Sequence, residues 1–524
     1  MSFVSMKLLL LVAAATLIYY TAGKKHQWIV LLIVSYIFYA SYGVKPMVFI
    51  LFTTLVTFFG GLLLEKLEND GKAKLELLKA DMSKEEKKKF KAGLKLKKRM
   101  VCALVLVLSF GVLAFLKYTN FAVSNINLIT GSSIKRLELL LPLGISFYTF
   151  QSAGYIIDVY QGKYKAEHNV FRYALFVSFF PQILQGPIGR FNTLAVQFFE
   201  KHDFDLENIE YAVQRMLWGY FKKLVIADRA FAGVNEIFTN YNNYTGFMVI
   251  FGVLLYCVQL YADFSGGMDV VIGIARIFGI KLDENFRQPF FSHSISEFWR
   301  RWHITLGTWM KDYVFYPFSL SKAMNRFSKF TKKVFKGHVG KVLPICLANI
   351  LVFFLVGVWH GAAWKFIVYG LYNGLLIALA SLFEPVFLRV QKCLHINTES
   401  RIYRGFTMVR TFILVNIGWY FDMATDIRAS FVMLGNTFKN LTLSTFTKRE
   451  FLVAGYEMKD MVILLAALCV WLIVSILKER NTDVLKALSE RPLVVRWALY
   501  ILLIFSIPYL GFIGASTGFI YAQF

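Results

Sequence analysis

Stretches of about twenty apolar residues recur along the chain, and this feature constrains its fold more than any other. Hydrophobic residues make up 57% of the sequence and charged residues only 17%. A water-soluble fold cannot hide that much apolar surface. A helix needs about 20 apolar residues to cross a bilayer, where it satisfies its own backbone hydrogen bonds. The pattern therefore predicts an all-α integral membrane protein and excludes a disordered chain, a secreted disulfide scaffold and an ordinary cytosolic enzyme.

The apolar stretches predict about ten to twelve transmembrane or re-entrant helices. The candidate spans are residues 6–22, 28–43, 46–64, 100–117, 139–159, 170–188, 245–262, 343–360, 362–384, 408–424, 461–477 and 495–515. The first resembles a signal peptide, but further spans follow it at once, so we expect it to be retained. Residues 1–524 show no fixed repeat and no low-complexity tract, which favours a single membrane domain.

Positive charge is concentrated in two stretches, which we interpret as cytoplasmic loops. The formal net charge is +25, and 20 of the 58 Lys and Arg residues lie in residues 65–99 and 320–341. Cytoplasmic loops of membrane proteins carry such an excess, so nucleic acid is a much less favoured partner. Lys24 and Lys25 follow the first predicted span and residues 65–99 follow the third, so both lie on one side of the membrane. That side is the cytoplasm if the N-terminus faces outside, and we expect that orientation.

Two helical segments do not resemble crossings. Residues 209–232 carry charges among aromatic residues, and residues 295–318 form an amphipathic pattern that Ser294 or Ser296 could cap. At 100° per residue, one face of a continuous helix here holds Phe298, Trp302, Leu306, Trp309 and Tyr313. The pattern predicts an amphipathic helix at the membrane interface or beside a polar cavity.

His360 is the most informative candidate for chemistry. Between Leu347 and Phe383 the only basic residues are His360 and Lys365, and no residue is acidic. A titratable group in such an apolar run is costly and indicates a functional site. The equally weighted alternative is a neutral structural histidine bonded to a backbone carbonyl.

His303 is the second candidate. It lies at the edge of the aromatic face, beside Trp299, and the alternative is an interfacial histidine that extends toward water. Imidazole accepts a proton from a hydroxyl near neutral pH better than other unperturbed side chains. Two tryptophan-flanked histidines therefore indicate acid–base chemistry more strongly together than either does alone.

Other patterns carry less information. Asp158, Asp263 and Asp269 lie in apolar surroundings and could orient a histidine, although buried ion pairs or helix caps are favoured. The five cysteines are widely separated, so neither a disulfide framework nor a metal site is predicted. P-loop and HExxH motifs are absent from the sequence, which argues against an NTP-driven pump and a metalloprotease.

Six blocks of the sequence resemble a known family. They are LPLGISFYTFQSAGYIIDVYQG (141–162), FVSFFPQILQGPIGR (176–190), YADFSGGMDVVIGIARIFGI (261–280), ENFRQPF (284–290), SISEFWRRWHITLGTWMKDY (294–313) and VGVWHGAAWKFIVYGLYNG (356–374). Together they resemble the membrane-bound O-acyltransferase superfamily, in the branch of the bacterial alginate O-acetylases. The teichoic acid D-alanyl transferases form a sister branch. The resemblance is closest over residues 140–380.

The resemblance implies a ring of tilted helices around a central tunnel, with an essential histidine at His360 and a second at His303. The supporting residues that we expect around the tunnel are Trp299, Arg300, Arg301, Trp302, Trp359, Asp263 and Gln185. The family implies no bound cofactor or metal. It implies a thioester donor, either acetyl-CoA or an acylated carrier protein, on the cytoplasmic face of the bacterial plasma membrane. The acyl group then passes outward to an exported acetyltransferase or a polysaccharide.

The resulting hypothesis is transfer of an acyl group, with acetyl favoured, to a hydroxyl of a cell-envelope or extracellular polysaccharide. D-alanyl transfer to teichoic acid is the alternative within the family. A membrane transporter or flippase and a passive assembly scaffold are alternatives of other classes. A transporter often contains two halves with matching broken helices, and the sequence does not show such halves.

Overall fold

The computed structural model describes residues 4–78, 82–442, 447, 449–454 and 456–512. Throughout these residues the regular structure is helical, apart from one isolated antiparallel bridge between Phe286 and Trp302. In chain order the α-helices are α1 (Met6–Thr21), α2 (Gln27–Ala40), α3 (Val44–Leu77), α4 (Lys84–Thr130), α5 (Ile145–Gln161), α6 (Val170–Ser178), α7 (Val196–Phe199), α8 (Leu206–Tyr220), α9 (Asp228–Thr239), α10 (Phe247–Ile277), α11 (Ile295–Arg301), α12 (Ile304–Met310), α13 (Tyr316–Ser319), α14 (Lys322–Val334), α15 (His338–His360), α16 (Trp364–Leu382), α17 (Glu384–Cys393), α18 (Arg401–Met423), α19 (Ile427–Asn436), α20 (Met458–Glu479), α21 (Val484–Ser489) and α22 (Leu493–Leu510). Turns of π-helix are Phe191–Ala195, Phe221–Ala227 and Lys311–Phe315, and turns of 3₁₀-helix are Tyr241–Asn243, Pro289–Phe291 and Glu450–Ala454.

Seven of the described helices are long and apolar enough to cross a membrane. They are α3, α4, α10, α15, α16, α20 and α22, while α1 and α2 are shorter apolar helices. Apolar side chains such as Leu104 and Val107 on α4 remain exposed, as expected of helices that face lipid. The predicted all-α, multi-pass membrane fold is confirmed, and the ring around a tunnel stays a prediction.

The predicted span over residues 170–188 is wrong. Helix α6 ends at Ser178, and residues 179–190 continue as a mostly buried segment without α-helix. Pro181 and Pro187 explain the difference, because proline lacks a backbone N–H and disfavours the helical conformation in the residue before it.

The described residues of the two basic stretches are largely helical, and their cytoplasmic location stays a prediction. Helix α3 continues to Leu77 and α4 begins at Lys84, where Ser83 and Glu86 form a capping box. The two helices pack against each other through a 2.6 Å Lys98–Glu68 ion pair. In the second basic stretch, Ser321 caps α14 by accepting a hydrogen bond from the backbone N–H of Met324.

The chain divides into two compact units. Of the described residues, the first unit contains those up to 209 together with 274–283, and the second contains residues 210–273 and those from 284 to 512. The first unit is built around stacked aromatic rings, including Tyr155 and Tyr173 with centroids 4.5 Å apart. In the second unit, Trp302 packs against Phe298 and Trp419 at 5.4 and 5.5 Å. Both candidate histidines belong to the second unit.

Candidate functional site

His360 is the last residue of α15, and close helix packing fixes its position. Helix α16 returns along α15 after a turn of three residues, and the backbones nearly touch at Gly357 and Gly370. A Cβ atom at Gly357 would overlap the carbonyl oxygen of Phe366. Glycine is therefore required at this approach, and the imidazole of His360 is held 7% exposed.

A carboxylate lies beside His360. Asp422 Oδ1 is 3.6 Å from His360 Nδ1, and the Tyr256 hydroxyl donates a 2.6 Å hydrogen bond to Asp422 Oδ2. Lys365 Nζ donates to the backbone carbonyls of Asp422 and Ala424 at 3.0 and 2.6 Å. The beginning of α16 is thereby tied to the end of α18, which presents Asp422 to the imidazole.

His303 lies at a break between two short helices. Its backbone is left-handed, with φ 46° and ψ 52°, and it separates α11 from α12. The predicted continuous helix over residues 295–318 is therefore wrong, although the aromatic face assigned to it is buried. The break is braced by Asn285, whose side-chain oxygen accepts from Thr305 N and Oγ1 at 2.9 and 2.8 Å. This tertiary contact outweighs the local helical pattern.

Trp359 joins the two histidines. Its ring centroid lies 5.6 Å from that of His303 and 5.1 Å from that of His360. Phe264 meets His303 edge-on at 4.9 Å. Burial, together with the smaller effect of the neighbouring His360, lowers the pKa of His303 to about 3. The two imidazoles thus share one buried, largely aromatic site in which His303 is neutral near pH 7.

Two further predicted tryptophans, Trp299 and Trp302, lie close to this site. Trp299 Nε1 donates a 3.1 Å hydrogen bond to Asn373 Oδ1, and its ring contacts Tyr369 at 6.4 Å. Trp302 is 2% exposed, and Tyr369 meets the His360 ring at 5.3 Å. Trp359 contacts both histidine rings, and Trp299 contacts Tyr369, a residue that the sequence analysis missed. The supporting roles of Trp299, Trp302 and Trp359 stay predictions.

The predicted charged residues occupy different places. Arg301 pairs with Glu297 and Glu479, each at 2.8 Å, whereas Arg300 is exposed and lines two cavities. Asp263 accepts from Lys223 Nζ at 2.6 Å, which matches the buried ion-pair interpretation.

The other predicted polar residues form local contacts or belong to the first unit. Asp158 pairs with Lys163 at 2.7 Å, and Asp269 pairs with Arg215 at 3.0 Å. Gln185 is fully buried in the first unit. The burial of Gln185 does not test its predicted role as a supporting residue of the tunnel, which stays a prediction.

A polar cavity of about 1020 Å³ lies in the second unit. Its wall carries the cations Arg215, Arg287, Arg300, Arg301 and Lys478 and the acids Asp269, Glu284, Glu297, Glu479 and Asp483. A smaller cavity of about 50 Å³ shares much of this wall and reaches Tyr261 and Ser265 on α10. Phe286 borders both cavities and contacts Phe264 at 4.9 Å, which in turn contacts His303.

Buried ion pairs lie beside the smaller of these two cavities. Lys222 Nζ bonds Ser265 Oγ at 2.8 Å and Asp269 at 2.6 Å, and Lys223 lies between Asp228 and Asp263. Burial lowers the pKa of Lys222 to about 8, against the opposing effect of Asp269. Among the described residues, no three His, Cys, Asp or Glu side chains are grouped so that they could hold a metal ion.

Sequence reasoning missed Asp422, although a signal was present. It is an acid inside the predicted span 408–424, and the rule that singled out His360 applies to it equally. Its partnership with His360 depends on how α15, α16 and α18 pack, which no local pattern reveals.

Known proteins resemble this chain over most of its length. The family model described as "MBOAT, membrane-bound O-acyltransferase family" matches residues 166–332, a range that contains His303 and ends before His360. The probable alginate O-acetylase AlgI of Pseudomonas aeruginosa is 33% identical over 418 residues, covering 79% of this chain and 70% of that protein. The peptidoglycan O-acetyltransferase of Helicobacter pylori is 32% identical over 363 residues, covering 64% of each chain.

A relative from the sister branch is also similar. The teichoic acid D-alanyltransferase of Bacillus subtilis is 31% identical over 292 residues, covering 54% of this chain and 69% of that protein. The Pseudomonas relative shares about a third of its residues with this chain across more than two thirds of both sequences. The membrane helices, the paired histidines and these similarities together show that this chain is an acyltransferase of the membrane-bound O-acyltransferase family.

Proposed function

We propose that this protein transfers an acetyl group from a cytoplasmic thioester donor to a hydroxyl, for O-acetylation of a cell-envelope or extracellular polysaccharide. The proposal places it in the bacterial plasma membrane with its N-terminus outside. The observation that carries the proposal is the buried group of His303, Trp359 and His360 with Asp422 beside His360. The names of the acetylase relatives support acetyl as the group and polysaccharide as the acceptor.

In this mechanism His360 is the general base. A carboxylate beside Nδ1 favours the tautomer that carries its proton there, which leaves the lone pair on Nε2 for the acceptor hydroxyl. Nε2 takes the hydroxyl proton while the oxygen attacks the thioester carbonyl. The C–S bond then breaks, and the imidazolium returns the proton to the leaving thiolate. A positioned base contributes about 10²–10⁴-fold to the rate.

His303 and the tryptophans have supporting roles. A neutral imidazole can donate an N–H to the oxygen that becomes negative as the tetrahedral species forms. Trp299, Trp302 and Trp359 exclude water and protect the thioester from hydrolysis. An acyl-His360 intermediate is a variant of the same mechanism.

The 1020 Å³ cavity is the proposed entrance for the donor. Its volume is at the upper end of the range for ligand pockets, and its cations suit the phosphates of acetyl-CoA or of a carrier protein's prosthetic group. On the outer side, the acyl group passes to a polysaccharide or an exported acetyltransferase.

The test is acyl transfer by purified protein in lipid nanodiscs. Acetyl-labelled CoA and a D-alanyl-loaded carrier protein are supplied separately, with polysaccharide or teichoic acid fractions as acceptors. We expect label transfer from acetyl-CoA to polysaccharide, lost in His360→Ala and retained in the exposed control His168→Ala. Near-wild-type turnover by folded His360→Ala protein would contradict the mechanism. Transfer only from the D-alanyl carrier would assign the protein to the sister activity.

A further inference from the structure

A second large cavity lies on another side of α11. Its volume is about 640 Å³, and its wall is formed by α11, α12, the turn after α12, and the membrane-crossing helices α15 and α16. Val352, Phe353 and Ile377 form its apolar side. The acyl-transfer mechanism places no substrate in this cavity, although Arg300 in its wall also borders the 1020 Å³ cavity.

The charge of this cavity is unbalanced. Arg300 and Lys311 contribute two cations, and its lining contains no Asp or Glu. Arg301, by contrast, pairs with two glutamates. Among the described residues, no carboxylate lies within ion-pair distance of Arg300 or Lys311, and Lys311 Nζ lies 5.7 Å from the centre of the Tyr316 ring. Two cations that line one cavity with an apolar side favour an anion that also has an apolar part.

The surroundings indicate which anion fits. Apolar side chains of α15 and α16 near the cavity are exposed, among them Ile345, Leu347, Leu375 and Leu379. Such surfaces on crossing helices face lipid, where a cation is stabilised by pairing. A soluble anion would leave the apolar wall unused, and a zwitterionic lipid would bring its own cation toward Arg300 and Lys311.

We propose that this cavity binds an anionic phospholipid. The phosphate lies between Arg300 and Lys311, and one acyl chain lies along Val352, Phe353 and Ile377. The chain also packs on Trp299, whose ring contacts Phe353 at 5.1 Å. The site shares Arg300 with the 1020 Å³ cavity, but that cavity contains acids as well as cations and is not lined by Lys311.

Gly307 allows the cavity to be filled without disturbing the protein. It lines the cavity, and a Cβ atom there would meet only the Trp299 carbonyl oxygen, at an ordinary contact distance of 3.7 Å. Gly307→Leu therefore places a side chain where the proposed acyl chain lies. Gly307→Ala is the matched control, because its methyl group occupies little of the space.

The test is native mass spectrometry of protein released from nanodiscs of palmitoyl-oleoyl phosphatidylglycerol or the corresponding phosphatidylcholine. We expect wild-type protein and Gly307→Ala to retain phosphatidylglycerol in preference to phosphatidylcholine, and Gly307→Leu to retain neither above background. Arg300→Gln combined with Lys311→Gln should weaken phosphatidylglycerol retention roughly thirtyfold. The charge-matched control, Lys329→Gln with Lys333→Gln on α14, should behave as wild type.

Several results would overturn the proposal. One is equal retention of both lipids by wild-type protein, and another is undiminished phosphatidylglycerol on Gly307→Leu. Displacement of the lipid by glycerol 3-phosphate at low concentration would assign the cations to a soluble phosphate instead. The assay measures binding without turnover, so its outcome is independent of the acyl-transfer mechanism.

Discussion

At the scale of single residues, Asp422 and His360 show what the sequence reveals and what it does not. His360 can be singled out because it is one of two basic residues in a long apolar run. Asp422 carries a similar signal, yet its 3.6 Å approach to His360 Nδ1 arises from the packing of three helices. Local patterns therefore identify candidate groups, and tertiary structure decides which of them act together.

Asp422→Asn should lower kcat while leaving KM for the acyl donor nearly unchanged. An amide holds the imidazole less firmly in the productive tautomer and stabilises the imidazolium less. We expect a fall of roughly tenfold to a hundredfold, part of what a positioned base contributes. Steady-state kinetics in nanodiscs measure both parameters.

The comparison variants separate positioning from folding. Tyr256→Phe removes the 2.6 Å hydrogen bond to Asp422 and should cause a smaller fall in kcat, and Asp422→Glu should recover part of the activity. A higher KM with unchanged kcat in Asp422→Asn would show that Asp422 acts on donor binding.

His303 should make the folded protein sensitive to acid. Burial lowers its folded pKa from 6.5 to about 3. Below pH 6.5 the unfolded chain binds a proton at this residue that the folded protein does not. The free energy of unfolding therefore decreases as pH falls from 6.5 toward 3, by up to about 1.4 kcal/mol per pH unit from this group.

His303→Asn tests this pH dependence. Asparagine tolerates the left-handed backbone that His303 adopts, so the break between α11 and α12 is preserved. We expect chemical unfolding between pH 6.5 and 4.5 to show a shallower pH dependence in the variant than in wild type. Parallel pH dependences would contradict the burial of a neutral imidazole.

At the scale of helices, the sequence predicted burial better than it predicted boundaries. The aromatic face assigned to residues 295–318 is buried, yet the helix breaks at His303 because Asn285 and the Phe286–Trp302 bridge brace it there. Residues 65–99 looked like a loop because they are charged, but i to i+4 ion pairs and a capping box suit a helix as well. The apolar pattern could not distinguish these outcomes.

Gly357→Ala should disrupt the pairing of α15 and α16. The new methyl group would overlap the Phe366 carbonyl oxygen, and backbone cannot yield as a flexible side chain does. We expect roughly 2–4 kcal/mol of destabilisation, in the range of severe overpacking, with loss of acyl transfer. The unfolding free energy and turnover are measured on the same preparation.

Gly405→Ala is the matched control, since Gly405 is also helical and a Cβ atom there meets nothing within 4 Å. It should stabilise the protein by about 0.5–1 kcal/mol. Equal effects of the two substitutions would show that α15 and α16 do not depend on close approach at Gly357.

At the scale of the whole molecule, composition was sufficient to predict a helical membrane protein. The chain's many exposed leucines and phenylalanines on long helices are those of a protein that faces lipid. The buried ion pairs of the second unit could not be predicted, because Lys222 and Lys223 read as surface charges in the sequence.

The orientation of the protein can be tested with paired lysine-to-cysteine substitutions. In a background with the exposed Cys393 and Cys469 changed to serine, Lys7→Cys should react with an impermeant maleimide only from outside intact cells. Lys87→Cys should react only after the cytoplasm is opened, because the positive-inside rule predicts that the basic ends of α3 and α4 face the cytoplasm. The reverse labelling pattern would invert the predicted topology.

The π-helical turn Phe221–Ala227 has a consequence for the histidine site. Its adjacent lysines hold both neighbours of Phe264, since Lys223 bonds Asp263 and Lys222 bonds Ser265. If α10 rotated by one residue, about 100°, both of these bonds would break, and the buried lysines would lose these partners. The two bonds therefore fix the rotation of α10 about its own axis. They also fix the orientation of the Phe264 ring, whose edge contacts His303. The ion pairs and hydrogen bonds of two buried lysines thus orient an aromatic ring beside His303.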